Sequence, residues 1–297
     1  MTDTTAKTYT LIDGRKIASE IKAEILQLVN MRRAAEKKIP HLAFILVGDD
    51  GASQTYVDHK VKACKDVGFH YTMMRFADTI SEDKLCKHIT QVNNDDDVDG
   101  FIVQLPLPDH ISVERITEKI RPDKDVDGFT NRNFGSIISK VPLLMPATAY
   151  GVMELLRRYE IQTEGKNCVV VGASRIAGAP LSMLLVQQGR ATVTICHKYT
   201  QNLKEYTRNA DILLVAAGKP GLVTADMVKE GAVVIDIGTS KVDDPSKPNG
   251  FSIKGDVDFK QVAPKCSFIT PVPGGVGPMT IASLLLNTLR ATELRHP

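Results

Sequence analysis

Short apolar runs alternate with longer amphipathic stretches along the whole chain. In the first half, "HLAFILVG" (41–48) is continuously apolar, as a strand covered on both faces requires. "FHYTMMRFA" (69–77) and "VDGFIVQLPLP" (98–108) read as two further strands, the last running into a proline-marked loop. Helical spacing fills the intervals over residues 17–37, 52–66 and 81–93, the third opening on Ser81 as a predicted N-cap.

The second half repeats the alternation. "NCVVVGAS", "ATVTIC", "DILLVAAG", "AVVIDIG" and "CSFITPVPGG" are Val/Ile-rich runs that each stop at glycine or a polar turn. Strands separated by helices of this length predict crossover connections and a mostly parallel, doubly wound sheet. "PATAYGVMELLRRYE" (146–160) predicts a helix connecting the halves from about Thr148, and "PMTIASLLLNTLRATELR" (278–295) a final helix able to return to the first half. The predicted fold class is therefore α/β with two domains and a cleft between them. Residues 1–147 plus the helix 278–297 form an N-terminal α/β catalytic domain, and residues 148–277 a Rossmann-like nucleotide-binding domain.

Composition narrows the function. Lys and Arg number 37 against 35 Asp and Glu, so the net charge of +2 gives none of the basic field a nucleic-acid partner demands. No apolar run approaches the roughly 18 residues of a membrane span, so no membrane partner is expected. The five cysteines are scattered and form no C-x-x-C pair, which fits buried thiols in a reducing, cytoplasmic compartment. The start of the chain has no apolar core of a signal peptide. No metal is expected: the histidines lack ligand spacing, and the consecutive acids of "NNDDDVDG" read as a solvated turn.

In an open parallel sheet, phosphates sit on helix N-termini at the carboxyl ends of strands. "VVVGASRIAGAPLSMLL" supplies a strand, a Gly-rich turn and a helix, which makes Gly172, Ala173, Ser174, Arg175 and Ile176 candidate cofactor residues. The turn is not G-x-G-x-x-G, since Ser174 takes the place of the second glycine, and Ile176 excludes a G-x-S-x-G nucleophile elbow. After "ATVTIC" the acid that would bind a ribose 2′-hydroxyl is absent. His197 and Lys198 stand there instead and favour a 2′-phosphate, hence NADP over NAD. The ends of the next strands add Ala217, Gly218, Gly238 and Thr239.

The first half carries the titratable groups. Tyr56 and Lys60 are four residues apart on the helix that follows "HLAFILVG", so ring and amine share one face. On most helices such a pair is a solvated face. Here Gln104 ends a neighbouring strand, and Asp125 and Asp127 lie in the loop "RPDKDVDGF", so a parallel sheet brings these groups to one edge. An amine beside an aromatic ring and away from water loses basicity and becomes a general base or proton shuttle. Gln104 orients it or holds a water, and Asp127 suits a donor-rich heterocycle. Val103 and Leu105 flank Gln104 as candidate lining. "TPVPGGVGPMT" makes a stiff loop of little bulk, with room for a cis peptide, that presents Pro271, Pro273, Gly274 and Gly275 to a flat ligand.

With these residues assembled, the chain resembles the bifunctional methylenetetrahydrofolate dehydrogenase/methenyltetrahydrofolate cyclohydrolase family over nearly its whole length. The matching motifs are "GASQTYVDHKVKAC", "VDGFIVQLPLP", "DKDVDGF", "PNG" followed by "GDV", and above all "FITPVPGGVGPMT". The resemblance implies that Lys60 is the catalytic lysine, that Tyr56 stacks on the folate, that Gln104 assists Lys60 and that Asp127 binds the pterin, with Ser53 lining the same site. It implies NADP-dependent oxidation of 5,10-methylenetetrahydrofolate to 5,10-methenyltetrahydrofolate, then hydrolysis to 10-formyltetrahydrofolate, by a cytoplasmic homodimer. The sequence departs from the family where Gly-Arg-Ser is usual and Ala173 replaces the arginine, where Lys198 replaces a serine, and where "PATAYG" replaces "PCTP".

Two rivals remain at this point: a related two-domain dehydrogenase of an amino acid or a shikimate-like acid, and a cyclohydrolase or folate-binding protein with a degenerate nucleotide site. The first needs a cation for a substrate carboxylate, which Tyr56, Gln104 and Asp127 do not provide. If Lys198, with Arg175, supplies the charge lost at Ala173, then Lys198→Ala should lower the preference for NADP over NAD. Steady-state kinetics with both cofactors reads this directly, and an unchanged ratio removes that role from Lys198.

Overall fold

The computed structural model describes residues 9–139, 143–247 and 250–296. The "P" and "N" of the "PNG" motif, Pro248 and Asn249, lie outside them, as does the beginning of the chain. Strand β1 (Thr10–Leu11) leads into helix α1 (Gly14–Ala34). Next come β2 (His41–Val47), α2 (Gly51–Asp66), β3 (His70–Phe76), α3 (Glu82–Asn94) and β4 (Gly100–Val103). Two short helices, α4 (Val113–Lys119) and α5 (Asn131–Ile138), precede α6 (Ala147–Arg158). The second half runs β5 (Asn167–Val171), α7 (Gly178–Gln187), β6 (Thr192–Cys196), α8 (Leu203–Thr207), β7 (Ile212–Val215) and β8 (Val233–Asp236). A hairpin of β9 (Ser240–Asp243) and β10 (Phe251–Lys254), then α9 (Phe259–Val262), β11 (Phe268–Ile269) and α10 (Val276–Arg295), complete it.

The chain divides into two compact units. One holds Ala18–Ala147 with Ile281 onward; the other holds the described residues up to Ile17 with Thr148–Thr280. The N-terminal residues thus join the second-half unit rather than the first-half domain of the sequence reading. The cause is pairing: β1 adds to β11 in parallel, Thr10 opposite Phe268, a two-residue strand too short to carry a periodic signal.

In the first of these units β2 lies between β3 and β4, all parallel. Every β2 residue after His41 is buried, the outcome of a central strand covered on both faces. Phe44 and Phe101 are fully enclosed, and burying each such side chain stabilises by about 2 kcal/mol. α3 starts where Ser81 accepts the Lys84 N–H, as its sequence predicts. At the other end of α3, the fully buried Lys124 donates to the Val92 and Asp95 carbonyls at 3.0 and 2.5 Å and so reinforces the helix terminus, where each carbonyl otherwise accepts one backbone N–H at 3.3 Å. Burial pulls its ammonium down to about 8. The acids of 95–97 are engaged in the same way: the Asp95 carboxylate accepts the Asp97 N–H, and Asp96 pairs with Arg295. Asn287 of α10 donates to the carbonyls of Val126 and Met145, at 2.7 and 2.6 Å, and so holds the 126–145 connection.

The six-stranded sheet of the other unit runs β1-β11-β8-β7-β5-β6, with every pairing parallel. Chain order reverses between β5 and β7, which makes their carboxyl ends the switch point of a doubly wound sheet. Val169, Val171, Leu213, Val215 and Val234 pack one core with Ile269 and Val262. The β9–β10 hairpin, antiparallel and half-exposed, falls in a stretch whose polar sequence gave no strand signal.

Asp125 is the main organiser of the loop before α5. Its carboxylate, 1% exposed, accepts the N–H groups of Gly128, Phe129 and Thr130 and the Asn133 amide, at 2.7–3.1 Å. Asp125→Ala would take an acceptor from all four donors, of which Gly128 and Asn133 keep the Asp125 and Pro122 carbonyls, so equilibrium urea unfolding should show a loss of about 2–3 kcal/mol, and Asp125→Asn a smaller one.

Candidate active site

Tyr56, Lys60, Gln104, Asp125 and Asp127 all belong to the three-stranded unit. α2 starts after the carboxyl end of β2, capped by Asp50, whose side chain accepts the N–H of Ser53 at 2.7 Å. Ser53 is buried in this first turn. Tyr56 and Lys60 follow on the next turns of the helix. Gln104 continues β4, and its N–H bonds to the Ile45 carbonyl at 2.9 Å, so its side chain is set beside β2.

Lys60 is only 4% exposed. Its Nζ donates to Gln104 Oε1 at 3.1 Å and lies 4.6 Å from the centroid of the Tyr56 ring. Gln104 Nε2 donates to the Leu105 carbonyl at 2.7 Å, which fixes the amide with its oxygen toward the lysine. Burial lowers the pKa of Lys60, opposed by the Asp127 carboxylate. Burial raises the pKa of Asp127, opposed in turn by Lys60. Tyr56 is pushed up by burial and by Asp127 and stays a neutral phenol. Cys64, one turn beyond Lys60, is pushed up to about 12 by burial and so is an inert thiol.

Asp125 and Asp127 divide the work of their loop. Asp125 faces inward and holds backbone, which removes it from the reactive group. Asp127 is half-buried, and its carbonyl accepts the Ala147 N–H. Gly128 follows at φ +73°, where a Cβ would stand 2.5 Å from the Pro146 nitrogen, so only glycine brings the loop this close. Val103 is buried at the end of β4, with Leu105 half-buried beside Gln104.

In the six-stranded unit, Gly172 sits at the carboxyl end of β5 with φ +121°, and a Cβ there would overlap the Ala216 carbonyl. A Cβ on Gly178 would likewise overlap the Gly172 carbonyl. Ala173, Ser174, Arg175 and Ile176 are exposed between them. Ser174 contributes its carbonyl, not its hydroxyl, to the start of α7: Ala179 N–H donates to it at 3.0 Å, and the N-cap residue Ala177 makes no side-chain cap bond. A tight glycine cradle before an uncapped helix start fits a nucleotide diphosphate. His197 and Lys198 follow β6, which pairs with β5, and both are exposed; Lys198 Nζ lies 4.9 Å from the Tyr199 ring centroid. Ala217 and Gly218 follow β7, and Gly238 and Thr239 follow β8, at the same strand ends.

Pro271, Pro273, Gly274 and Gly275 belong to this unit too. The Val272–Pro273 peptide is cis, and the Gly274 carbonyl accepts the Arg15 N–H at 3.1 Å. A hollow of about 670 Å³ lined by Tyr150, Glu154, Arg157 and Arg190 lies at the strand-start end of the sheet. Its arginines pair with Glu154 and Glu164.

Residues 12–127 match the family model of the tetrahydrofolate dehydrogenase/cyclohydrolase catalytic domain, and residues 146–296 match that of the NAD(P)-binding domain. The chain belongs to the tetrahydrofolate dehydrogenase/cyclohydrolase family. It is 54% identical to the bifunctional protein FolD of Cytophaga hutchinsonii over 288 residues, covering 96% of this chain and 99% of that one. A crystal structure of the bifunctional FolD dehydrogenase/cyclohydrolase of Campylobacter jejuni superposes with a TM-score of 0.91 at 45% identity, over 97% and 99% of the two chains. The Trypanosoma brucei FolD complexed with NADP and an inhibitor gives 0.92 at 38% identity, over 96% and 98%.

As a member of this family, the chain is a bifunctional one-carbon folate enzyme. It oxidises methylenetetrahydrofolate with NADP as cofactor and hydrolyses methenyltetrahydrofolate. Neither rival reading survives that assignment. Among the described residues, no helix is long and apolar enough to cross a membrane.

Sequence reasoning left two buried acids without a role, Asp236 at the end of β8 and Asp256. Their signal was present in "VVIDIG" and "GDV", but nothing local tells a buried acid from a turn acid.

The opposed influences on Lys60 give a signed expectation. Its ammonium should titrate below the ordinary 10.5, and Asp127→Asn, by removing the carboxylate that holds the proton on, should move it lower still. NMR titration of ¹³C-lysine-labelled protein, with the resonance assigned through Lys60→Met, measures both shifts.

Proposed function

We propose that Lys60 is the general base of the hydrolytic step and that Tyr56, Gln104 and Asp127 hold the folate and the amine in register. The observation that carries this reading is the placement of the Lys60 nitrogen: out of water, bonded to Gln104 and over the Tyr56 ring. A buried amine with lowered basicity releases its proton nearer neutral pH than a surface lysine, as a base must. In the hydrolysis, the neutral amine takes a proton from water as the oxygen bonds to the methenyl carbon. The hydroxyl of that adduct then gives up its remaining proton as the carbonyl forms, N5 takes up a proton as its bond to the carbon breaks, and the formyl group stays on N10, with one proton released overall.

Gln104 cannot titrate, and its role is to aim the lysine. Its own bond to the Leu105 carbonyl keeps the acceptor oxygen turned to Nζ. Tyr56 offers a flat, uncharged face for a ring to stack on. Asp127 is read as accepting two N–H bonds from the pterin, with Ser53, Val103 and Leu105 as the rest of the folate surface. The stiff 271–275 loop is read as a further substrate-binding segment.

NADP accepts the hydride of the oxidative step when it is bound. Its diphosphate is assigned to the Gly172–Ile176 turn and the start of α7, and its 2′-phosphate to Lys198 with His197 and Arg175. Ala217, Gly218, Gly238 and Thr239 would line the remainder. Where the family usually has an arginine and a serine this chain has Ala173 and Lys198, and Lys198 is the compensation that charge balance supports. The reading extends to a homodimer in the cytoplasm, supported by the family resemblance and by five cysteines that are all free thiols.

Lys60→Met keeps the length of the side chain and removes the base. The cyclohydrolase rate, followed by loss of methenyl absorbance, should fall at least about 100-fold, while NADP-dependent oxidation is reduced or retained. Hydrolysis at near wild-type rate in the folded variant would refute the assignment of Lys60.

A further inference from the structure

Two buried acids of the six-stranded unit take no part in the chemistry above, yet they tie three strand ends together. Asp236 ends β8 and accepts the N–H groups of Gly238, Asp256 and Val257 at 2.9, 3.0 and 3.0 Å. Asp256 is fully buried, and its Oδ2 accepts the N–H groups of Ala217 and Gly218 at 2.7 and 2.8 Å. Its other oxygen, Oδ1, is buried with no hydrogen-bond partner among the described residues and lies against Gly238, where a Cβ would stand 2.5 Å from it. A Cβ at Gly255 would overlap Asp236 Oδ2. Both glycines are therefore dictated by the carboxylates beside them.

This arrangement is costly for a purely structural device. A buried acceptor without a donor costs free energy, and a second carboxylate nearby adds repulsion. Burial, with a smaller contribution from that repulsion, raises Asp236 to about 6. What the arrangement does achieve is specific: charge-assisted bonds turn two consecutive amides, at the carboxyl end of β7, inward. The opposite face of the loop then presents backbone and the small residues Ala217 and Gly218, the latter at φ +67°. Gly221 and Val223 bond through their N–H groups to the Gly255 and Asp256 carbonyls at 3.1 and 3.0 Å, so the whole 217–223 loop is fastened to the segment that carries Asp256.

We infer that Asp256 is a positioning residue for the cofactor, a buried clamp that presets the 217–218 loop for NADP, with Asp236 holding the clamp in place. The inference rests on the reading that this loop lines the NADP site. Because the clamp acts on the loop and not on hydride transfer, its loss should raise the Kd and KM for NADP together and leave kcat at saturating NADP within about twofold. Asp256→Asn keeps an oxygen for the two amides and offers Nδ2 where Oδ1 has no partner, so it should restore binding.

The test uses full-length protein, NADP titrated by calorimetry, and amide hydrogen exchange. Asp256→Ala should weaken NADP binding at least about tenfold, and Asp256→Asn should stay within about threefold of wild type. In NADP-free wild type, the Ala217 and Gly218 amides should be protected from exchange, a measurement that stands even if the alanine variant does not fold. Rapid exchange at both amides overturns the clamp. So does wild-type NADP affinity in folded Asp256→Ala, or an asparagine variant as weak as the alanine one. Wild-type protein that fails to bind NADP at all would overturn the underlying site reading instead.

Discussion

A single sequestered amine organises the catalytic unit. Lys60 gives up most of its hydration, and what replaces water is one amide oxygen, one aromatic face and the field of a carboxylate. Those partners come from three different places in the chain: Tyr56 from the same helix, Gln104 from the end of β4, Asp127 from the loop beyond it. The parallel sheet makes this possible, since β2 and β4 finish at the same edge and each feeds its next residue toward the same spot. The amine is left poised between two opposing influences, burial that expels its proton and a carboxylate that retains it.

Buried carboxylates recur as a second theme, with a different purpose. Asp125 in one unit, and Asp236 and Asp256 in the other, each accept N–H groups from loops at strand ends, where the sheet no longer supplies carbonyl partners. Wherever such a carboxylate closes on a loop, glycine stands nearby: Gly128 beside the Asp125 turn, Gly238 and Gly255 beside the acid pair. The same pairing of acid and glycine therefore shapes loops in both the folate-type and the nucleotide-type unit. Lys124 is the cationic counterpart and closes the carbonyl end of α3.

Much of this was legible in the sequence, for physical reasons that differ by element. The buried strands β2, β5, β7 and β8 announced themselves because a strand covered on both faces must be apolar throughout, and α3 because Ser81 and the spacing of Leu85, Ile89 and Val92 both mark a helix. The Tyr56–Lys60 pair was legible because helical spacing fixes which side chains are neighbours. β1 and the β9–β10 hairpin were not, since the former spans two residues and the latter exposes alternate polar positions. Asp125 and Asp127 share one loop, and the sequence reading gave a ligand-binding role to Asp127 alone. Only the fold turned one inward onto backbone and left the other beside the lysine.

By itself, then, the sequence determined the strand and helix alternation, the positions of the glycine turns, and the families of side chain placed at each strand end, because these follow from local periodicity and backbone sterics. The tertiary structure decided which groups lose their water. Whether Lys60 is a solvated surface charge or a sequestered amine, and whether the Asp256 carboxylate faces water or holds backbone amides, depends on atoms contributed from 44 and 39 residues away. Desolvation is a property of the surroundings and not of the residue, so no local pattern encodes it.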